Sequence, residues 1–228
     1  MNFEDMKQLY VEKKKQFGED AYRHVSELLR EVKILHKADW EKKPTKKNDH
    51  EQSWRAFKGK NLEKLVQYII TTEIEELGLK VVNGNKLEKT IKLSEELSSV
   101  KRKLAIDYGE FGLHLPDVDI VIYKPNSSKV LAVISSKVTL RERIAQTGYW
   151  KLKFLQCPVT EHIKVFFITP DEDGTLTYKT PAKKGRAIVE VDTDGSYVMS
   201  EITVQESARV KMFDKFIEDI KELLKAHG

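Results

Sequence analysis

A chain of 228 residues, 40% of them apolar, is long enough to bury a core and reads as one domain, or one with an appended lobe. Its 40 basic and 36 acidic residues leave a net charge of +4, a modest excess that suits a nucleic-acid binder without requiring one. The single cysteine, Cys157, excludes an intramolecular disulfide and a cysteine-based zinc site. No apolar run reaches membrane-spanning length and no signal peptide is visible, so no membrane partner and a reducing cytoplasm are expected.

In chain order, Phe3, Met6, Leu9 and Tyr10, then Tyr22, Val25, Leu28, Leu29, Val32 and Leu35, recur at helical spacing. Gly18 divides this stretch into two helices. Such an arm packs on the core, joins a dimer or wraps DNA. Residues 37–52 read as a basic loop around Pro44, with the pairs Lys42-Lys43 and Lys46-Lys47. The expected division is therefore a helical arm with its basic loop over 1–50 and a core over 51–228. From Asn61 to Leu77 the spacing predicts an amphipathic helix with Asn61 as N-cap and Gly78 as its stop. Glu63 then falls in the first turn, where the helix dipole favours a carboxylate, and shares a face with Val66 and Ile70. Leu79–Val82 reads as a strand and Ser94–Lys103 as a short helix. Tyr108–Gly112 is a glycine-punctuated loop.

The stretch from Pro116 to Arg143 carries the chemistry. Asp117 and Asp119 open an apolar strand, Ile120–Tyr123; a Pro-Asn-Ser turn follows, and the chain returns through Val130–Ile134 to Ser135-Ser136-Lys137. In a hairpin the two ends lie side by side, so a carboxylate and an ammonium meet at one sheet edge just before a helix begins. A carboxylate that holds a hard divalent cation, with a lysine beside it, suits a metal-dependent phosphodiesterase. Thr139-Leu140-Arg141-Glu142 also fits a helix capping box, and either reading starts a helix here.

These residues resemble the PD-(D/E)XK nuclease core: an acid at a strand start, Asp119, lies eighteen positions before Lys137, and Ser135 stands where the second acid is usual. Lys137 followed by Arg141-Glu142-Arg143 looks like the corresponding element of type II restriction endonucleases of the BsaWI-like group, which cut CCGG or CCNGG sites and often carry a serine two residues before the lysine. The resemblance implies a PD-(D/E)XK restriction-endonuclease-like α/β core, a mixed sheet flanked by helices. It implies catalytic Asp119 and Lys137, with Mg²⁺ held by Asp119, Glu63 and the Ser135 position, and Asp117 as alternate ligand. Arg141, Glu142 and Arg143 would read C·G pairs, since Arg suits guanine O6 and N7 and Glu accepts from cytosine N4. Gln146 would flank the DNA. Some relatives place an acid farther along this helix, where this chain has Trp150 and Lys151, so Glu63 is the expected donor of the missing carboxylate.

Downstream, Ile163–Thr169 reads as a central strand and Asp171–Gly174 as a turn. Strands are expected near Leu176–Tyr178, Ala187–Val191 and Tyr197–Ile202, with Asp194-Gly195 as a hairpin turn, and a closing helix from Gln205 to His227. The whole implies a homodimeric type II restriction endonuclease on double-stranded DNA, in a bacterial or archaeal cytoplasm, with a cognate DNA methyltransferase in the same host. The alternatives are a junction-resolvase-like or repair nuclease of the same fold, and a non-cleaving DNA-binding relative.

Overall fold

Asn2 begins the first helix with a reciprocal cap: its side chain accepts from the amides of Glu4 and Asp5, and Asp5 accepts from its own amide. The computed structural model describes residues 1–44, 49–139 and 143–226. Helix α1 (Phe3–Phe17) ends at Gly18, which takes φ 58°, and a 3₁₀ turn leads into α2 (Val25–Lys42). Helix α3 (His50–Glu76) starts eleven residues earlier than the sequence pattern suggests, capped by the Asp49 side chain at 2.8 Å from the Gln52 amide. The expected basic loop shrinks accordingly, and its pair Lys46-Lys47 lies outside the described residues. Buried Trp54 extends the apolar stripe upstream, and a helix interior tolerates Gly59 at a cost of about 1 kcal/mol. Asn61 is therefore no cap; its Nδ2 donates to the Phe57 carbonyl at 2.9 Å. Glu63 stands in mid-helix, beyond the reach of the terminal dipole.

The sheet is mixed and six-stranded. Strand β1 (Lys80–Asn83) is followed by a short helix α4 (Gly84–Lys89), α5 (Glu95–Leu104) and a two-stranded ribbon, β2 (Ile106–Asp107) with β3 (Leu113–His114). The expected hairpin is β4 (Ile120–Lys124) and β5 (Lys129–Ser136), antiparallel, with Ile120 opposite Ile134. Helix α6 (Arg143–Leu155) crosses to β6 (Lys164–Thr169), parallel to β5. Helix α7 (Lys184–Asp192) crosses to β7 (Gly195–Val198), parallel to β6; β8 (Val210–Met212) closes the parallel edge before α8 (Phe216–Ala226). The order is β1-β4-β5-β6-β7-β8. Ile120, Ile122 and Ile134 face Leu62, Leu65 and Val66 of α3, in the same cluster as Met6, Leu28 and Val32 of the N-terminal helices. Val121, Val133 and Val165 face Val100, Leu104 and Phe154 on the other side. Strand β5 is thus covered on both faces, which is why it reads as an unbroken apolar run.

The C-terminal region corrects the sequence reading. Leu176–Tyr178 forms no strand, Ala187–Val191 lies within α7, and no C-terminal β-hairpin forms, because β7 and β8 are parallel to each other and to β6. The β-branched residues Ile188, Val189 and Val191 favour a strand locally, but burial of Arg186 and Val189 on one helix face prevails. Asp194, read as a turn residue, instead accepts from the Val165 amide at 2.9 Å and pairs with Lys151 at 2.6 Å, fixing the entry to β7. Residues 205–212 are not helical; Val210 enters the sheet and the last helix starts at Phe216.

Arg186 is fully buried and ties this region together: it donates to the Leu176 carbonyl, to the Gln205 carbonyl at 2.8 Å and to Glu190 at 2.8 Å. Arg186→Met strands the buried Leu176 carbonyl and removes the donors to the Gln205 carbonyl and to Glu190, and lowers unfolding free energy by roughly 3 kcal/mol. Urea denaturation checks this as a lower midpoint at unchanged slope.

Candidate active site

The end of β5 is where the chain concentrates charge. Asp119 precedes β4 and is held by its backbone from both sides: its amide donates to the Ile134 carbonyl at 3.1 Å, and its carbonyl accepts from the Gly84 amide at 2.9 Å. Gly84 has no substitute there, since a Cβ would stand 1.9 Å from the Val118 carbonyl oxygen. Asp119 is 4% exposed, and its side chain accepts from the Ser136 amide at 2.7 Å. Lys137, one residue past the strand, donates to both Asp119 oxygens, at 2.9 and 2.7 Å, and to Glu63 Oε1 of α3 at 3.3 Å. Three groups drawn from sequence positions 63, 119 and 137 therefore meet at one point.

Two carboxylates share one ammonium in a half-buried setting. Burial first, and the Asp119 charge second, push the Glu63 carboxyl up to about 7, against the opposing pull of Lys137. The cluster borders a cleft of 680 Å³ whose walls carry Arg55, Lys60, Lys64, Lys89 and Lys137 beside the lone acid Glu63. Ala56, Gly59, Lys60, Glu63 and Gln67 recur at three and four positions, so one stripe of α3 forms a wall of this cleft. A basic cleft that presents Glu63, with the buried Asp119 behind it on Lys137, suits a polyanion above and a hard cation below, since both acids offer oxygen ligands.

The other sequence-predicted residues sit elsewhere. Asp117 is exposed and accepts from Gln146 Nε2 at 2.9 Å. Ser135 is buried, and its hydroxyl accepts from Thr147 Oγ1 at 3.2 Å. Arg141 and Glu142 lie outside the described residues, and Arg143 is described only as the first residue of α6. The basic wall of α3, Lys89 and the tight fit of Gly84 were not visible in the pattern. Asn83-Gly84-Asn85 reads as a strand end, and nothing in it signals the approach of residue 118.

The profile of the BsaWI restriction endonuclease type 2 family matches residues 96–220. The putative type II restriction enzyme MjaVIP of Methanocaldococcus jannaschii is 43% identical over 183 residues, covering 78% of this chain and 80% of that protein. The probable type II restriction enzyme HpyAORF263P of Helicobacter pylori is 41% identical over 127 residues, covering 55% of this chain and 64% of its own length. Among solved structures, the specific restriction endonuclease AgeI in its DNA complex shares the fold, with a TM-score of 0.60 at 13% identity over 97% of this chain and 91% of that one.

The raised Glu63 carboxyl has a consequence for metal-free protein. Its folded value lies above the ordinary 4.5, so its contribution to stability is fully present below pH 4.5 and is lost as pH rises through about 7. In chelator, wild type loses on the order of 3 kcal/mol relative to Glu63→Gln across that window, and the difference is flat above it. Denaturant melts of both proteins at stepped pH measure it.

Proposed function

The chain belongs to the BsaWI family of type II restriction endonucleases, and from that premise we propose that it hydrolyses double-stranded DNA at a palindromic site containing C·G pairs, using Mg²⁺. The observation that carries this reading is the contact of Lys137 with both Asp119 and Glu63 at the floor of a basic cleft. Restriction endonucleases of this fold generally use a divalent metal, and the donor set fits one. Glu63 and Asp119 offer hard oxygens, and with Lys137 they sum to one negative charge that a cation would offset. When bound there, the ion polarises the scissile phosphate and acidifies a water.

The chain's own groups do the rest. Asp119 and Glu63 hold the ion, and Lys137 orients the attacking water and offsets charge that develops on the phosphate. Arg55, Lys60, Lys64 and Lys89 receive backbone phosphates, which set register without reading sequence. Arg141, Glu142 and Arg143, ahead of and at the start of α6, read C·G pairs in the major groove. Gln146 flanks the duplex and holds Asp117, the alternate ligand of the sequence reading. One catalytic centre and one reading element per chain make a two-fold homodimer the economical arrangement on a palindrome. A cognate methyltransferase protects the host's own sites.

Digestion of phage-sized DNA with Mg²⁺ is expected to give discrete fragments with one common end sequence. A smear or branch-selective nicking indicates the structure-selective alternative, and a gel shift without cutting indicates a non-cleaving relative. Lys137→Ala is expected to reduce cutting by at least roughly 10²–10³-fold while gel-shift binding persists. Arg141→Ala weakens specific binding by about 1–3 kcal/mol.

A further inference from the structure

Glu63 and Asp119 are only two carboxylates, and the one group of three potential metal-binding acids or imidazoles among the described residues lies elsewhere, at His24, Glu27 and Glu201. The family pattern would seek the next ligand at Ser135. Alternation along β5 argues otherwise. Ala132 and Ile134 face the cluster that contains Leu62, Leu65 and Val66 of α3, whereas Val133 faces the cluster that contains Phe154 of α6 and Val100 of α5. Ser135 follows Val133, and its hydroxyl is engaged by Thr147 of α6. Ser136 follows Ile134 and lines the cleft together with Glu63 and Lys137. Its residue is 1% exposed, and its Oγ has no hydrogen-bond partner among the described residues. Burying a hydroxyl unpaired costs about 1–3 kcal/mol, a cost that a ligand at this position removes. The Ser136 amide already donates to Asp119 Oδ2 at 2.7 Å, so the hydroxyl of the same residue belongs to the same end of the cleft.

We propose that the Ser136 hydroxyl is the neutral oxygen donor that joins Asp119 and Glu63 in holding the divalent cation. The inference rests on the nuclease reading above. A neutral donor extends the oxygen set without adding a third negative charge beside Glu63 and Asp119. Hard cations accept such mixed oxygen sets.

The test is titration of the intact protein with Mn²⁺ alone, followed by calorimetry or water-proton relaxation, beside metal-free thermal melts. Ser136→Ala is expected to weaken Mn²⁺ binding about tenfold, with the metal-free melting temperature unchanged or raised. Ser135→Ala is expected to leave Mn²⁺ binding unchanged and to lower the melting temperature. Ser136→Cys, which nearly keeps the volume, is expected to shift preference from Mn²⁺ toward Cd²⁺ and carries the test if the alanine variant does not fold. Mn²⁺ affinity of Ser136→Ala within twofold of wild type, or no Cd²⁺ shift in Ser136→Cys, overturns the proposal. Asp119→Asn separates the two levels. If it loses Mn²⁺ while Ser136→Ala keeps it, only the serine assignment falls; if it binds Mn²⁺ as wild type does, the cleft is not the cation site and the nuclease reading falls as well.

Discussion

Two carboxylates drawn to a single ammonium is the constraint on which this structure turns. Asp119, Glu63 and Lys137 come from a strand entrance, a mid-helix position and a strand exit, so their convergence requires the sheet and α3 to be in place together. Left to itself the trio is electrostatically unfinished: one ammonium does not neutralise two acids, and burial raises Glu63 toward protonation. That imbalance is a cost to folding and, on the proposed function, a source of affinity for a cation. The fold carries it on a β5 that is apolar on both faces and on backbone contacts at Asp119 that admit only glycine at position 84.

On the proposed function, the same elements connect the chemistry to reading. Strand β5 ends at the carboxylate cluster, Lys137 follows directly, and six residues later α6 begins at Arg143. On the proposed function, a separation of only six residues between Lys137 and Arg143 couples the register of base contacts to the position of the scissile phosphate. The start of α6 is braced in turn by α7: a Cβ at Gly185 would stand 2.7 Å from Ile144 Cδ1 and 2.5 Å from Thr175 Cγ2. Sequence-specific cleavage needs such stiffness, because misplacement by about 1 Å can cost 10²-fold in rate.

Much of this was legible in the chain. The β4–β5 hairpin announced itself through apolar runs, a Pro-Asn-Ser turn and acids at the entrance, all local signals. The place of Glu63 beside Lys137 was anticipated for a partly mistaken reason: the helix does not start at Asn61, and the residue owes its place to a stripe that begins near Trp54. The C-terminal strands were misassigned because Ile188, Val189 and Val191 carry local β preference, while the helix depends on burying Arg186 among carbonyls from residues 176 and 205. Such long-range satisfaction leaves no periodic trace. The different surroundings of Ser135, engaged by Thr147 of α6, and Ser136, which lines the cleft, were equally hidden. Strict alternation would put Lys137 on the Ser135 face, but β5 ends at Ser136 and Lys137, one residue beyond it, turns to Asp119 and Glu63 instead.

The central claim, that Asp119, Glu63 and Lys137 form one cation-binding catalytic centre, is tested most directly by anomalous diffraction from crystals of the protein grown with Mn²⁺. The account predicts a single strong peak within ligand distance of the Asp119 and Glu63 carboxylates, with the Lys137 ammonium released from at least one of them. A peak at His24, Glu27 and Glu201 instead, or Lys137 still bridging both acids at saturating metal, would contradict it.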